Sequence, residues 1–253
     1  MTRTLFCGDP HAKPRLLTAV TRTADRERAD RIVILGDLCD DWNVSARINR
    51  MWADTLAAWA EDERARREIV LLAGNHDIPY LMPEGVDLGR MRTLVGLPGH
   101  TAGARRHIRG ILQRLDLRLA WTDGLLLATH AGVTATWARA AWEDGADART
   151  IADDLNARLA SPARLRALYC AVGPARGGDA PPGPLWADRR ELARDPPDGP
   201  IQIVGHTPVP TVTREHDTWL CDTWSALPDG TPIGDGTMLA YDDRDGAFDV
   251  IRP

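Results

Sequence analysis

The 253-residue sequence has no excess of positive charge, because its 31 Lys and Arg residues are outnumbered by 36 Asp and Glu. The formal net charge of −5 therefore gives no indication of nucleic-acid binding. No apolar run approaches the roughly 20 residues of a membrane-spanning helix, and the first residues lack a secretory-signal pattern. The four cysteines include no C-x-x-C pair, which argues against a disulfide framework. We expect a cytoplasmic protein with no membrane partner.

Several common catalytic motifs are also missing. The sequence has no G-x-S-x-G motif and only three serines, which disfavours a serine nucleophile. It contains neither a P-loop nor a G-x-G-x-x-G motif, so it has no phosphate cradle for ATP-driven or nicotinamide chemistry. The remaining composition, with 43% hydrophobic and 26% charged residues, is typical of a globular protein.

Short apolar runs alternate with amphipathic segments in the first half of the chain. Continuous apolar runs are typical of strands in a sheet covered on both faces, and the alternation predicts right-handed β-α-β units. The predicted strands are 4–7, 31–35, 69–73 and 125–129, and the predicted helices are 14–29 and 46–67. The chain length is compatible with one large α/β fold, and we predict a single domain over residues 1–253.

The second half has a different pattern. Residues 137–169 are predicted to be mostly helical, with Ser161 and Pro162 as the cap and first turn of a helix. Residues 173–200 are rich in Pro and Gly and predict a long loop with one helical turn around 186–193. Five short strands, in a more antiparallel sheet, are predicted to follow at 200–204, 211–214, 218–221, 236–241 and 247–251.

Polar residues stand where the predicted strands end. The ordered motifs are Asp9-Pro10-His11, Gly36-Asp37-Leu38-Cys39-Asp40, Gly74-Asn75-His76-Asp77, His130-Ala131-Gly132 and Gly205-His206-Thr207. In an open α/β sheet, ligands bind beyond the carboxyl ends of the strands. We therefore expect these five loops to converge on one site.

The residue types at these strand ends indicate a catalytic metal site. Carboxylate, imidazole and amide groups without thiolate suit Mn, Fe or Zn, and Mn is the first expectation. Six such groups exceed the needs of one open-sided metal but suit two metals bridged by one carboxylate. A pair of this kind can generate a bridging hydroxide and stabilise in-line displacement at phosphorus.

The ordered set of five motifs resembles the calcineurin-like metallophosphoesterase superfamily. The resemblance runs from Asp9 to Thr207 and implies a four-layer α/β/β/α sandwich with mixed sheets. It implies a first metal held by Asp9 and His11, a bridging Asp37, and a second metal held by Asn75, His130 and His206. It also implies that His76 protonates the leaving oxygen and that Asp40 orients the His76 ring, since a carboxylate favours the charged imidazole.

Within the superfamily, the later motifs resemble those of phosphoprotein phosphatases and symmetrical diadenosine tetraphosphate hydrolases. These motifs are Leu185-Trp186-Ala187-Asp188-Arg189 and Val204-Gly205-His206-Thr207-Pro208. The chain departs from those enzymes at Asp41-Trp42, where they have Arg-Gly, and at Asp77, where the protein phosphatases more often have Glu. The aromatic residue Trp42, two positions after G-D-x-x-D, also resembles the pattern of UDP-2,3-diacylglucosamine hydrolases. Those enzymes usually end in a G-H-x-H motif, however, and Pro208 stands here in place of its last metal ligand.

Other residues are candidates for substrate contacts. Arg189 or Arg176 could grip the phosphate, because guanidinium binds it bidentately, although a surface salt bridge is the alternative. Trp42 and Trp186 could face a flat leaving group. Asp77 could lie near the metals or cap the following turn. We expect residues 135–200 to form a helical and loop insertion that lines the substrate site.

The expected function is hydrolysis of a phosphomonoester, phosphoprotein or dinucleoside polyphosphate by a dinuclear metal centre. The expected partner is accordingly a phosphorylated small molecule, a nucleotide or a phosphoprotein. A phosphodiester or lipid-linked pyrophosphate is the alternative substrate within the same superfamily. A non-catalytic scaffold is a more remote alternative, because Asn75 and His76 are both retained. His100, His107 and His216 lack motif context and are predicted to be surface or loop residues.

Overall fold

Strands and helices alternate through the first half of the chain. In the computed structural model, residues 1–83, 86, 102–142 and 146–253 are described. The described strands are β1 (Arg3–Cys7), β2 (Arg31–Ile34), β3 (Glu68–Leu71), β4 (Ala120–Thr122), β5 (Leu126–Thr129), β6 (Ile201–Val204), β7 (Thr213–Glu215), β8 (Thr218–Leu220), β9 (Met238–Asp242) and β10 (Ala247–Ile251). The described α-helices are α1 (Pro14–Glu27), α2 (Ala46–Arg64), α3 (Ile78–Leu81), α4 (Arg105–Leu112), α5 (Ala135–Ala141), α6 (Ala148–Arg158), α7 (Pro162–Tyr169) and α8 (Arg189–Arg194).

The strands form two mixed five-stranded sheets. The first has the order β10-β9-β1-β2-β3, and its three N-terminal strands are parallel. The second has the order β4-β5-β6-β8-β7, in which β5, β6 and β8 are parallel. The sequence had suggested that the last five strands build a sheet of their own, but they are divided between the two sheets. β9 pairs antiparallel with β1 and carries β10 into the first sheet.

The two sheets pack face to face, and helices cover their outer faces. Phe6 and Val33 from the first sheet meet Trp121 and Ile203 from the second in one apolar cluster. Helices α1, α2 and α4 pack on the first sheet, whereas α5, α6 and α7 pack on the second. This arrangement confirms the predicted four-layer α/β/β/α sandwich.

Local sequence signals account for most element boundaries. Ser45 begins α2 by accepting a hydrogen bond from the backbone N–H of Ile48, and Ser161 caps α7 in the same way, as predicted. Helix α4 and strand β4 were not predicted, although Ile108, Ile111 and Leu112 give α4 one buried apolar face. Among the described helices, none is long and apolar enough to span a membrane.

Candidate metal centre

The five predicted strand-end loops meet at one edge of the two sheets. The loops after β1, β2 and β3 come from the first sheet, and those after β5 and β6 come from the second. Because the two sheets face each other, side chains from both reach a common centre. Two groups of candidate ligand atoms form there, each with all atoms within 4.8 Å of one another: His11, Asp37 and His76, and Asp37, His130 and His206.

The first group borders a cavity. His11 Nε2 lies 3.6 Å from Asp37 Oδ2, and His76 Nε2 lies 3.8 Å from the same oxygen. The backbone N–H groups of His11 and His76 donate to the carbonyl and carboxylate of Asp37, at 3.0 and 2.9 Å. The structure therefore places His76 as close to the shared carboxylate as the predicted ligand His11.

The second group is more deeply buried. His130 Nε2 lies 3.4 Å from Asp37 Oδ1, 2.8 Å from Asn75 Oδ1 and 3.1 Å from His206 Nδ1. Asp37 thus belongs to both groups, one through each carboxylate oxygen. Its position fits the bridging role that the sequence resemblance implied.

His130 Nε2 and its neighbours, Asn75 Oδ1 and His206 Nδ1, face one another in a way that suits a cation. His130 Nδ1 donates to the carbonyl of Leu35 at 2.8 Å, so the Nε2 of a neutral ring carries no proton. That unprotonated nitrogen nevertheless faces the amide oxygen of Asn75. Burial lowers the pKa of His130 and lowers that of His206 still further, which keeps both rings neutral and able to bind a metal.

Asp9 lies beside this group without belonging to either set of mutually close atoms. Its Oδ2 accepts a hydrogen bond from the backbone N–H of His206 at 2.9 Å. Its Oδ1 and the Nε2 of His206 are buried with no hydrogen-bond partner among the described residues. Unpaired buried acceptors of this kind are costly, and a divalent cation would satisfy them.

The tautomer of His11 is also fixed by the protein. Its Nδ1 donates to the backbone carbonyl of Asp40 at 2.9 Å, which directs the Nε2 lone pair toward Asp37. Burial lowers the pKa of His11 to about 4. The ring is accordingly in its neutral, metal-binding form over the whole neutral pH range.

The backbone is strained where these ligands stand. His11, Asp37, Asp40 and His206 all have positive φ angles, between 41° and 65°. Such conformations cost energy in residues with a Cβ and cluster at functional sites. A Cβ added to Gly74 would lie 2.2 Å from Asp37 Oδ1, so only glycine permits this approach.

Asp40 has a wider set of contacts than the sequence suggested. Its carboxylate accepts hydrogen bonds from Asn49 Nδ2 and from the Tyr80 hydroxyl, the latter at 2.6 Å. Its carbonyl holds His11, as described above. These bonds make Asp40 an anchor between helices α2 and α3 and the metal centre. Its orienting role toward His76 stays a prediction.

Asp77 ties two strand-end loops together. Its carboxylate accepts hydrogen bonds from the backbone N–H groups of Leu38, Cys39 and Gly74, at 2.9–3.1 Å, and forms no cap on α3. Burial and the nearby Asp37 carboxylate raise the pKa of Asp77 to about 8, against the opposite effect of its three donors. Its contacts make it a support for the centre.

A sixth strand end was missed in the sequence. Asp222 follows β8 and is buried, and its carboxylate accepts hydrogen bonds from the N–H and hydroxyl of Ser225, at 3.1 and 2.7 Å. Burial raises its pKa to about 6. The signal was available, because Asp222 directly follows a predicted strand, as the other site residues do.

A cavity of about 340 Å³ opens over the first group. Arg176 lines it, lying 3.4 Å from Asp188 Oδ2 and donating to the Thr207 hydroxyl at 3.3 Å. Arg189 instead donates to Glu215 at 2.6 Å and is not among the described residues that line this cavity.

The two tryptophans considered in the sequence differ in position. Trp42 lines the cavity and is 40% exposed. Trp186 reaches the lining but is only 2% exposed; it donates to the Tyr169 carbonyl and packs edge-on against the His206 ring. Trp42 is therefore accessible to a ligand, whereas Trp186 mainly supports a candidate ligand.

The cavity walls come only in part from the predicted insertion. Residues 135–200 contribute Arg176 and Trp186, and a second wall is formed by residues 225–233, which the sequence did not indicate. Outside the site, His107 pairs with exposed Asp54, and His216 is exposed in a turn, as expected. His100 lies outside the described residues.

Comparison with known proteins agrees with this fold and identifies the family. The family model for calcineurin-like phosphoesterases matches residues 2–227, and the chain therefore belongs to that family. The match identifies a phosphoester hydrolase whose relatives typically bind two divalent metals. This chain carries two candidate groups of ligand atoms, which share Asp37.

Solved structures provide a likeness in fold alone. A cold-active protein-tyrosine phosphatase of the psychrophile Shewanella sp. is 16% identical, with a TM-score of 0.58 over 100% of this chain and 81% of that chain. A protein of Pyrococcus horikoshii OT3 described as hypothetical is 10% identical, with a TM-score of 0.51 over 100% and 88% of the two chains. None of the curated proteins compared with the chain matches it.

Proposed function

We propose that this protein hydrolyses phosphomonoesters at a dinuclear centre of divalent metals, most readily Mn, with Fe or Zn as alternatives. The observation that carries the proposal is the pair of ligand groups that share Asp37 beneath a cavity lined by Arg176. Two cations in these groups would neutralise the phosphoryl oxygens and activate the attacking water. Asp9, His11, Asp37, Asn75, His130 and His206 would hold them.

The remaining residues act on the substrate. Arg176 is placed to bind a phosphoryl oxygen, since its partly exposed side chain lines the cavity. His76 lines the same cavity and donates a proton to the departing oxygen, which a neutral alcohol requires. Asp40 supports this step by anchoring the adjacent His11 loop.

The proposal places the chain near the phosphoprotein phosphatases. The similarity in fold to a protein-tyrosine phosphatase supports a monoester substrate, and so does the single arginine of the described cavity lining. A dinucleoside polyphosphate, a phosphodiester and a lipid-linked pyrophosphate are the competing substrates. We place the reaction in the cytoplasm, within one domain whose residues 135–200 form part of the substrate site.

Hydrolysis assays on metal-stripped protein test the proposal. We expect Mn²⁺ to restore turnover of p-nitrophenyl phosphate and a chelator to abolish it. Hydrolysis restricted to the bis(p-nitrophenyl) ester or to diadenosine tetraphosphate would replace the monoester assignment. Full metal occupancy without turnover of any of the three would favour a scaffold.

A further inference from the structure

The cavity over the metal centre has two chemically different parts. Its floor consists of His11, Asp37, Asn75, His76 and His206. Its rim consists of Trp42, Leu227, Pro228 and Ile233. Trp42 is 40% exposed and Leu227 48% exposed. Large apolar side chains that face water beside a reactive site commonly mark a place where ligand binds.

Hydrogen bonds hold the two halves of the rim together. Asn43 Nδ2 donates to the carbonyl of Pro228 at 3.1 Å, which joins the Trp42 loop to residues 225–233. Within that segment, the N–H of Leu227 donates to Thr231 and the N–H of Ile233 donates to Ser225. The apolar wall is therefore formed in advance, which lowers the entropic cost of binding.

The charges around the rim disfavour additional phosphate groups. Arg176 is the cationic side chain among the described residues of the lining, and Asp188 already lies 3.4 Å from it. Asp41 also lines the cavity, and its carboxylate lies 2.7 Å from the ammonium of Lys13. A second phosphate over the rim would thus meet apolar surface and an ion pair without net charge, and burying its charge there would be unfavourable.

The cavity size points in the same direction. A volume of about 340 Å³ lies at the lower end of the roughly 300–1,000 Å³ typical of small-molecule sites. That space suits one phosphoryl group with one ring. Two nucleosides joined by four phosphates would extend well beyond it.

Building on the proposed function, we propose that the rim binds the aromatic leaving group of an aryl phosphomonoester and that Trp42 determines this specificity. The indole would contact the ring of the substrate while Arg176 and the floor bind its phosphoryl group. Water supplies the oxygen of the new P–O bond and releases a proton to solvent, the bond from phosphorus to the aryl oxygen breaks, and that oxygen takes a proton from His76. The products are inorganic phosphate and a phenol.

The test compares O-phosphotyrosine with O-phosphoserine in the wild type and in Trp42→Ala and Trp42→Phe. We expect Trp42→Ala to lower kcat/KM for phosphotyrosine about fivefold to tenfold, which is the size of one aromatic contact. The kcat/KM of Trp42→Ala for phosphoserine should stay within about twofold of the wild-type value. Trp42→Phe should keep most of the wild-type kcat/KM for phosphotyrosine. Leu125→Ala, a change at an exposed apolar residue in the β4–β5 turn, is the control and should alter neither substrate.

Equal losses on both substrates, or no loss on either, would overturn the proposal. Preference of the wild type for diadenosine tetraphosphate, lost in Trp42→Ala, would also overturn it and assign the rim to a nucleobase. A binding measurement separates this inference from the proposed function. Calorimetry with phenylphosphonate and methylphosphonate should show that the wild type binds the phenyl compound more tightly and that Trp42→Ala loses this preference. This result is expected even if neither O-phosphotyrosine nor O-phosphoserine is hydrolysed.

Discussion

The floor and the rim of one cavity are built on opposite principles. In the floor, most of the polar side chains are buried, His11, Asp37 and His206 have positive φ angles, and the His11 ring donates to a backbone carbonyl. In the rim, apolar side chains are exposed and are positioned by the loops that carry them. Reactive groups need fixed geometry, whereas substrate selection needs accessible surface. Substitutions in the two regions should therefore differ in size and in kind.

The largest effect is expected from Asp37→Asn. Asp37 belongs to both ligand groups, and its loss removes a carboxylate from each. We expect kcat to fall on the order of 10³-fold or more, since a single electrostatic donor is worth about 10²–10³. Elemental analysis should show that bound metal falls below the wild-type amount. Unchanged metal content and turnover would contradict the bridging role.

The next effect is expected from His76→Gln. Loss of a general acid should lower the rate by about 10²-fold or more on an alkyl phosphate. The loss should be much smaller on p-nitrophenyl phosphate, because its leaving oxygen needs little protonation. Equal losses on both esters, together with loss of a metal ion, would make His76 a ligand, as its 3.8 Å distance from Asp37 also permits.

Much of the candidate metal centre could be predicted because its signal is local. Asp9, Asp37, Asn75, His130 and His206 each stand directly after an apolar run, and the sheets bring those strand ends together. Asp222 obeys the same rule but stands alone, outside any motif. The support of the floor by Asp77 could not be predicted, because its three backbone partners belong to two different loops.

Only Trp42 of the rim was named from the sequence, because the rest of the rim depends on long-range contacts. Trp42 and Pro228 are far apart in the sequence, and a hydrogen bond from Asn43 joins their loops. The pairing of β9 with β1 in the first sheet is a similar case, because the residue pattern of a strand does not specify which strand it pairs with. Exposed apolar residues also show no sequence periodicity that would distinguish a substrate-binding surface from ordinary protein surface.

The two arginines named from the sequence sharpen the comparison. Arg176→Ala should raise KM about 10- to 100-fold, as expected for charge-assisted hydrogen bonds to phosphate. Arg189→Ala is the matched control and should change KM less than about twofold, because its guanidinium is bound to Glu215. Steady-state kinetics on one phosphomonoester distinguishes the two. A larger effect at Arg189 would mean that the substrate approaches from the α8 side.

The smallest effect is expected from Asp188→Asn. Asp188 caps α8 and lies 3.4 Å from Arg176, and asparagine keeps the cap while removing the charge. We expect KM to rise about two- to fivefold, because Arg176 loses its anionic partner, while kcat stays unchanged. The stability loss should be below about 1 kcal/mol, since the arginines paired with Asp188 are partly exposed.

The pH dependence of that stability loss provides an independent check. Hydrogen bonds from Arg190 and the nearby charge of Arg176 lower the pKa of Asp188, outweighing its burial. A carboxylate with a lowered folded-state pKa stabilises the protein above its unfolded pKa of about 3.9. That contribution disappears as the pH falls through the folded-state value. Urea unfolding should therefore separate wild type from Asp188→Asn at pH 7 and bring them together in strong acid; equal stability of the two proteins at pH 7 would show that the carboxylate acts only as a helix cap, which asparagine also provides.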